Sequence, residues 1–108
     1  MPPDFPSDDD GDALRRVFES GADLSRPMQI DFMVDVPSEM AGNRVAASES
    51  QRGYQASVEM DPEAGTWTCY CSREMLANYP DIQAAQAELD ALAQPHGGQI
   101  DGWGTFGN

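Results

Sequence analysis

The chain has 108 residues and a mass of 11.7 kDa, which fits one domain, since domains usually contain roughly 100–150 residues. Six arginines, no lysine and nineteen acidic residues give a net charge of -13. A surface of this charge repels phosphate groups, so the composition argues against binding to nucleic acid or to anionic lipid. Neither a targeting segment nor an apolar run of about 20 residues is visible, so we expect a cytoplasmic protein that does not enter membranes.

The N-terminal segment, residues 1–11, is acidic and rich in proline, which predicts a flexible acidic lead-in to a single domain over residues 12–108. Aspartates at the end of this segment lie where a helix presents its unpaired N–H groups. Apolar residues then follow at helical spacing until Gly21. This pattern predicts a short amphipathic helix over residues 12–20.

The clearest strand is predicted from Met28 to Val36, where apolar and polar side chains alternate. Met33 is the one residue that breaks this alternation. One face of the strand is therefore expected to join the core and the other to face water.

A helix is predicted to follow over residues 39–52, with Ser38 as its N-cap. Its inward face is thin, because Ala41 and Val45 are followed at that spacing only by the small, polar Ser48. Gly53 is expected to end the helix.

The second half of the chain predicts a β-hairpin, a helix and a last strand. Alternating residues from Tyr54 to Met60 and from Trp67 to Cys71 flank a run of turn-forming residues. Pro80 suits the first turn of a helix whose apolar stripe ends before Pro95. A short strand is predicted over residues 99–106.

Without the first helix, the order of elements is strand, helix, strand, strand, helix, strand. This order predicts an α+β fold, a ferredoxin-like split βαββαβ sandwich with an extra short N-terminal helix. Its helices would cover one face of an antiparallel sheet and leave the other face for a partner, a ligand or a second copy. A polar open face would favour a protein partner, whereas an apolar cavity between two copies would favour a ligand-binding dimer. The residues expected on the open face are Gln29, Asp31, Asp35, Gln55, Ser57 and Glu59.

The motifs that carry chemistry point away from catalysis and cofactor binding. Residues 102–107 satisfy the pattern G-x-G-x-x-G, but only Asn108 follows, so no helix can hold a pyrophosphate group. Cys69 and Cys71 share one face of a strand, and His96 is the only histidine, which predicts packed thiols rather than zinc ligands. No nucleophile and base are paired in the sequence. We therefore expect a protein that is not an enzyme and that has no cofactor or metal.

The segment from Ile100 to Phe106 carries the most information. Glycines flank Trp103, which lets the backbone approach a neighbour closely and leaves the indole uncovered. Two interpretations follow: the indole fills the core between sheet and helix, or it is an aromatic anchor at a binding surface.

The closing segment GGQIDGWGTFG follows a helix of the type DIQAAQAELDALAQ and a strand that contains cysteine. Together these segments resemble the signature of the RraB family, protein regulators of ribonuclease E activity. The resemblance starts at about residue 8 and is most specific between Asp101 and Thr105. It implies a non-enzymatic inhibitor that binds ribonuclease E at its non-catalytic C-terminal scaffold region and so lowers or redirects RNA cleavage. The family-matching positions carried over as candidate partner-binding residues are Asp101, Gly102, Trp103 and Gly104.

The acidic run Asp8, Asp9 and Asp10 supplies further candidates for binding ribonuclease E. Ribonuclease scaffolds that bind RNA are rich in arginine, and a chain of charge -13 attracts guanidinium groups that would otherwise hold RNA. A different class of function stands beside this one: a ferredoxin-like homodimer that binds a small ligand, or a module for another protein partner.

Overall fold

The computed structural model describes residues 5–108. Within that range the chain forms a four-stranded antiparallel sheet and three α-helices, which confirms the predicted α+β class. A single 3-10 turn over Gln94–His96 precedes the last strand. The elements in chain order are α1 (Asp9–Glu19), β1 (Met28–Val36), α2 (Glu39–Ser50), β2 (Gln55–Met60), β3 (Trp67–Met75), α3 (Tyr79–Ala93) and β4 (Gln99–Gly104).

The strands lie in the order β2-β3-β1-β4, and each neighbouring pair is antiparallel. This arrangement is compatible with the predicted split βαββαβ order. β1 has the predicted bounds, because its alternation extends over all nine residues of the strand. The pairing of β1 with β4 shifts between Met33 and Val34, where β4 has one additional residue.

The core lies between the sheet and the helices. Alternate residues of β1 are buried there, and Cys69 and Cys71 of β3 lie opposite Val34 and Phe32. The ring of Phe32 meets that of Tyr54 edge-on, at 6.1 Å between centroids. The helices add their own apolar stripes to this layer. The buried apolar residues of the helices are Leu14, Ala41, Val45, Ile82, Ala85, Leu89 and Ala93.

Each α-helix begins at a polar side chain that accepts a hydrogen bond from a backbone N–H of the first turn. Ser38 caps α2, as predicted, and Asn78 caps α3. For α1 the cap is Asp8, so this helix starts at Asp9 rather than at residue 12 as predicted. Three of the following aspartates lie in the first turn, where the partial positive charge of the helix N-terminus favours them.

Part of the predicted flexible lead-in, residues 1–11, packs against the domain. The ring of Phe5 lies 6.2 Å from that of Phe18 in α1. A side chain at Gly11 would overlap the carbonyl of Pro6, so the chain before α1 lies directly on the helix. Residues 1–4 lie outside the described part of the chain, and for them flexibility stays a prediction.

Among residues 5–108, no helix is both long enough and apolar enough to cross a lipid bilayer.

Candidate functional site

Positions 101–104 of β4, which we call the terminal cluster, are divided between the two faces of the sheet. Trp103 lies opposite the buried Phe32 of β1, so the indole points towards the helices. Gly102 lies opposite Met33, and Gly104 opposite Asp31, so both glycines lie on the face that the helices leave uncovered. The four predicted residues at positions 101–104 therefore do not form one patch.

Trp103 is held by the acidic run at the other end of the chain. Its Nε1 donates a hydrogen bond to Oδ1 of Asp10, at 3.0 Å. The second oxygen of Asp10 accepts hydrogen bonds from the side-chain amides of Gln83, at 2.6 Å, and Gln86, at 2.9 Å. One carboxylate thus joins α1, α3 and β4, and it brings together the two predicted groups of candidate residues.

Asp8 has a structural role in the same place. One of its oxygens accepts from the backbone N–H of Gly11, at 2.8 Å, and the other accepts from the hydroxyl of Tyr79 in α3. The hydrogen bond from Tyr79 holds the pKa of Asp8 below its ordinary value, and it raises the pKa of Tyr79. Asp8 therefore fixes α1 to α3 as well as capping it.

Asp8 and Asp10 line a cleft of about 450 Å³ between α1, α3 and β4, which we call the acidic cleft and which Arg16 also lines. Asp9 and Asp101 are exposed there, and neither belongs to the ion pairs formed within residues 5–108. The half-buried indole of Trp103 also lines the cleft. Carboxylates around an indole bind guanidinium or ammonium groups through charge, hydrogen bonds and cation–π contact. Trp103 also packs on the core, in agreement with the first of the two interpretations, and its role as an anchor for a partner stays a prediction.

The uncovered face of the sheet, which we call the open face, is mostly polar, as predicted. Two apolar side chains interrupt it: Met33 of β1 lies opposite Tyr70 of β3. A groove of about 720 Å³ crosses this face and reaches Phe106, whose side chain is fully exposed. Sequence reasoning missed this apolar part of the face, although the break in alternation at Met33 was its signal. The polar and acidic residues of the open face are Gln29, Asp31, Asp35, Gln55, Ser57, Glu59, Thr68, Ser72 and Glu74.

A comparison with protein families supports the resemblance noted in the sequence. The family model "Regulator of ribonuclease activity B", RraB, matches residues 7–105. The chain belongs to the RraB family. A comparison with curated proteins gave no significant match. The matched residues include both the acidic run and the terminal cluster, so the acidic cleft and the Met33–Tyr70 pair lie within the part of the chain shared with RraB proteins.

The family name describes a regulator of ribonuclease activity, and the cysteines of this RraB protein fit a role outside catalysis. Cys69 and Cys71 are reduced and buried. Burial raises the pKa of both thiols, and the nearby carboxyl group of Glu49 raises it further. A protonated thiol is a poor nucleophile. The two cysteines are therefore packed thiols, as predicted, and among residues 5–108 no three acidic, thiol or imidazole side chains are placed to hold a metal ion.

Glu49 was not predicted to be buried. It follows Ala41 and Val45 at intervals of four residues, so it occupies the inward position that was assigned to Ser48, which is partly exposed. The Cys69 thiol donates to Oε1 of Glu49, at 3.1 Å, while Oε2 is buried without a hydrogen-bond partner. Burial raises the pKa of Glu49. The weak apolar pattern of α2 gave no signal that a carboxyl group completes the core.

Proposed function

We propose that this protein is a non-enzymatic inhibitor of ribonuclease E that binds the enzyme directly and lowers or redirects RNA cleavage. The match to the RraB family over residues 7–105 supports a ribonuclease as the regulated enzyme. We also propose that the protein is cytoplasmic and that its fold is ferredoxin-like. The strand order β2-β3-β1-β4, with α2 and α3 in the two crossovers, supports that classification.

The observation that carries the mechanism is the acidic cleft. Asp10 is occupied by three hydrogen bonds and Asp8 by its contacts to α1 and α3, whereas Asp9 and Asp101 remain exposed beside Trp103. Arginine side chains of a scaffold region that binds RNA fit this cleft by charge and by stacking on the indole. While they are held there, they are not available to phosphate groups of RNA, and the overall charge of -13 repels RNA from the complex.

The direct test is the rate at which the host's ribonuclease E cleaves an RNA substrate as the full-length protein is added. Inhibition is expected at about 50 mM salt and should weaken strongly at about 200 mM salt, because exposed charge pairs are screened. The enzyme alone, measured at both salt concentrations, is the control. Inhibition that is equal at both salt concentrations would contradict the electrostatic mechanism.

A pair of variants assigns the effect to the acidic cleft. Asp9→Asn with Asp101→Asn removes two exposed charges and should weaken inhibition about three- to tenfold. Asp8 and Asp10 are left unchanged, since their replacement would disturb α1 and Trp103. The matched control is Glu19→Gln together with Glu63→Gln, which also removes two exposed carboxylates, neither of which lines the cleft. Equal effects of cleft and control variants would show that net charge alone matters.

The open face bears on the alternative, a homodimer that binds a small ligand. Its carboxylates would face those of a second copy, and like charges placed opposite each other are destabilising. Sedimentation of the full-length protein tests this alternative. We expect a monomer, and a dimer that a small ligand stabilises would favour the alternative.

A further inference from the structure

Gly104 on the open face has no explanation within the chain itself, whereas Gly102 lies beside the additional residue of β4. Neither Gly102 nor Gly104 has a positive φ, and a Cβ atom at either position would meet nothing within 4 Å. Gly98 differs, because a Cβ there would lie 2.9 Å from the carbonyl oxygen of Asp35. Glycine weakens a strand, and in strands it often marks a place where another backbone approaches closely. At position 104 no group of the described chain comes close, so the space is open to a group from another molecule.

The surroundings of Gly104 have the shape of a binding groove. Gly104 lines the groove of about 720 Å³, together with Met33, Tyr70 and the exposed Phe106. The groove crosses all four strands, a distance of about 14 Å at the usual strand spacing. A chain in extended conformation covers that distance with about four residues, and its alternate side chains point towards the sheet. The absence of a side chain at Gly104 lets such a chain lie close to β4.

The charge of the open face selects a cationic occupant. Asp31, Asp35, Glu59 and Glu74 lie on this face, and neither of the two ion pairs within residues 5–108 includes any of them. The one arginine of the sheet, Arg73, lies on the helix-covered face, with its guanidinium carbon 4.5 Å above the ring of Tyr54.

Asp35 shows that negative charge is crowded at one end of this face. Partial burial raises its pKa, and the nearby charge of Asp101 raises it further. A positively charged side chain near this end of the face would relieve that repulsion. A second copy of the chain would add to it instead.

We propose that the open face is a docking groove for an extended, arginine-bearing segment of ribonuclease E. The segment crosses the strands of the sheet, passes over Gly104, places an apolar side chain on Met33 and Tyr70, and pairs its guanidinium groups with the carboxylates of the face. This inference rests on the proposed function and adds a second contact surface, on the side of β4 opposite to the acidic cleft. Recognition of this kind combines backbone approach with side-chain specificity.

The test is the affinity of the full-length protein for full-length ribonuclease E, measured by titration calorimetry. Gly104→Val places a side chain that favours strands on the floor of the groove. We expect affinity to fall at least about tenfold while the urea midpoint of unfolding does not decrease. Thr66→Val, at an exposed position in the loop before β3, is the matched control and should leave the affinity unchanged.

The outcomes separate this inference from the proposed function. If the unchanged protein does not bind ribonuclease E, both are wrong. If it binds, and Gly104→Val binds equally well while Asp9→Asn with Asp101→Asn binds more weakly, the docking groove is wrong and the acidic cleft stands. Should the valine variant fold poorly, Tyr70→Ala keeps the groove testable, and unchanged affinity in that variant would overturn it. A dimer that the valine variant dissociates would identify a second copy as the occupant and would also overturn it.

Discussion

Phe32 and Met33 are neighbours in β1, but they belong to two different environments. Phe32 is wholly buried beneath the helices, and its strand neighbours on that face are apolar or thiol side chains. Met33 lies among carboxylates and glycines on the open face. Side chains alternate between the two faces of a strand, so one face of this sheet stabilises the fold while the other is available for a partner. Substitutions on the two faces should therefore have different consequences.

The largest difference is expected between alanine substitutions of these two neighbours. Phe32→Ala removes a fully buried ring and should lower the free energy of unfolding by about 3–5 kcal/mol. Met33→Ala should lower it by at most about 1 kcal/mol, since the side chain is partly exposed. Urea denaturation followed by circular dichroism measures both values. Similar losses for the two variants would show that the open face also stabilises the fold.

Glycine-to-alanine substitutions on the two faces should show the same contrast, with smaller changes in the free energy of unfolding. Gly98→Ala places a methyl group against a backbone carbonyl and should cost about 1–3 kcal/mol of unfolding free energy. Gly104→Ala meets open space and should stabilise β4 by about 0.5–1 kcal/mol. Thermal unfolding of the two variants beside the unchanged protein separates these expectations. A large loss in Gly104→Ala would mean that the fold itself requires this glycine.

A pH-dependent effect is expected for the carboxyl group of Glu49, which contacts the helix-covered face. The pKa of Glu49 is raised in the folded protein, above the value of about 4.3 of an unfolded glutamate. Its contribution to stability is therefore fully present below that pH and is lost as pH rises through the folded pKa. Glu49→Gln cannot ionise, so this variant should gain stability relative to the unchanged protein as pH rises.

Urea midpoints of both proteins, measured from about pH 4 to pH 8, test this expectation. The difference should reach about 1–2 kcal/mol, in the range of the cost of a buried group without its partner. The Glu63→Gln variant, in the exposed loop between β2 and β3, is a control for the general effect of removing an acid. A difference between Glu49→Gln and the unchanged protein that stays constant with pH would contradict the raised pKa.

The elements were predictable from the sequence wherever a local pattern was strong. The alternation of β1 predicted both ends of the strand, and the apolar stripe of α3 was read correctly. α1 was placed three residues too late because several consecutive aspartates are equally good caps by composition. Only the contact of Asp8 with Tyr79 distinguishes the true cap.

The site was less predictable, since it depends on contacts between distant parts of the chain. The acidic run and Trp103 were both singled out, but the hydrogen bond between Asp10 and Trp103 joins residues 93 positions apart, and no local periodicity encodes it. The division of positions 102–104 between two faces also depends on the register of β4 against β1. Glu49 was missed because α2 has only two apolar residues on its inward stripe before it.

The most direct test of the central claim, that ribonuclease E binds this protein and contacts its open face as well as the acidic cleft, uses the methionine methyl groups as probes. Met33 lies on the open face, whereas Met40 is exposed on α2, behind the sheet. Methyl NMR spectra of the full-length protein are compared before and after addition of ribonuclease E. We predict that the Met33 signal shifts or broadens while the Met40 signal is retained. Binding that perturbs Met40 and leaves Met33 unchanged would contradict the account.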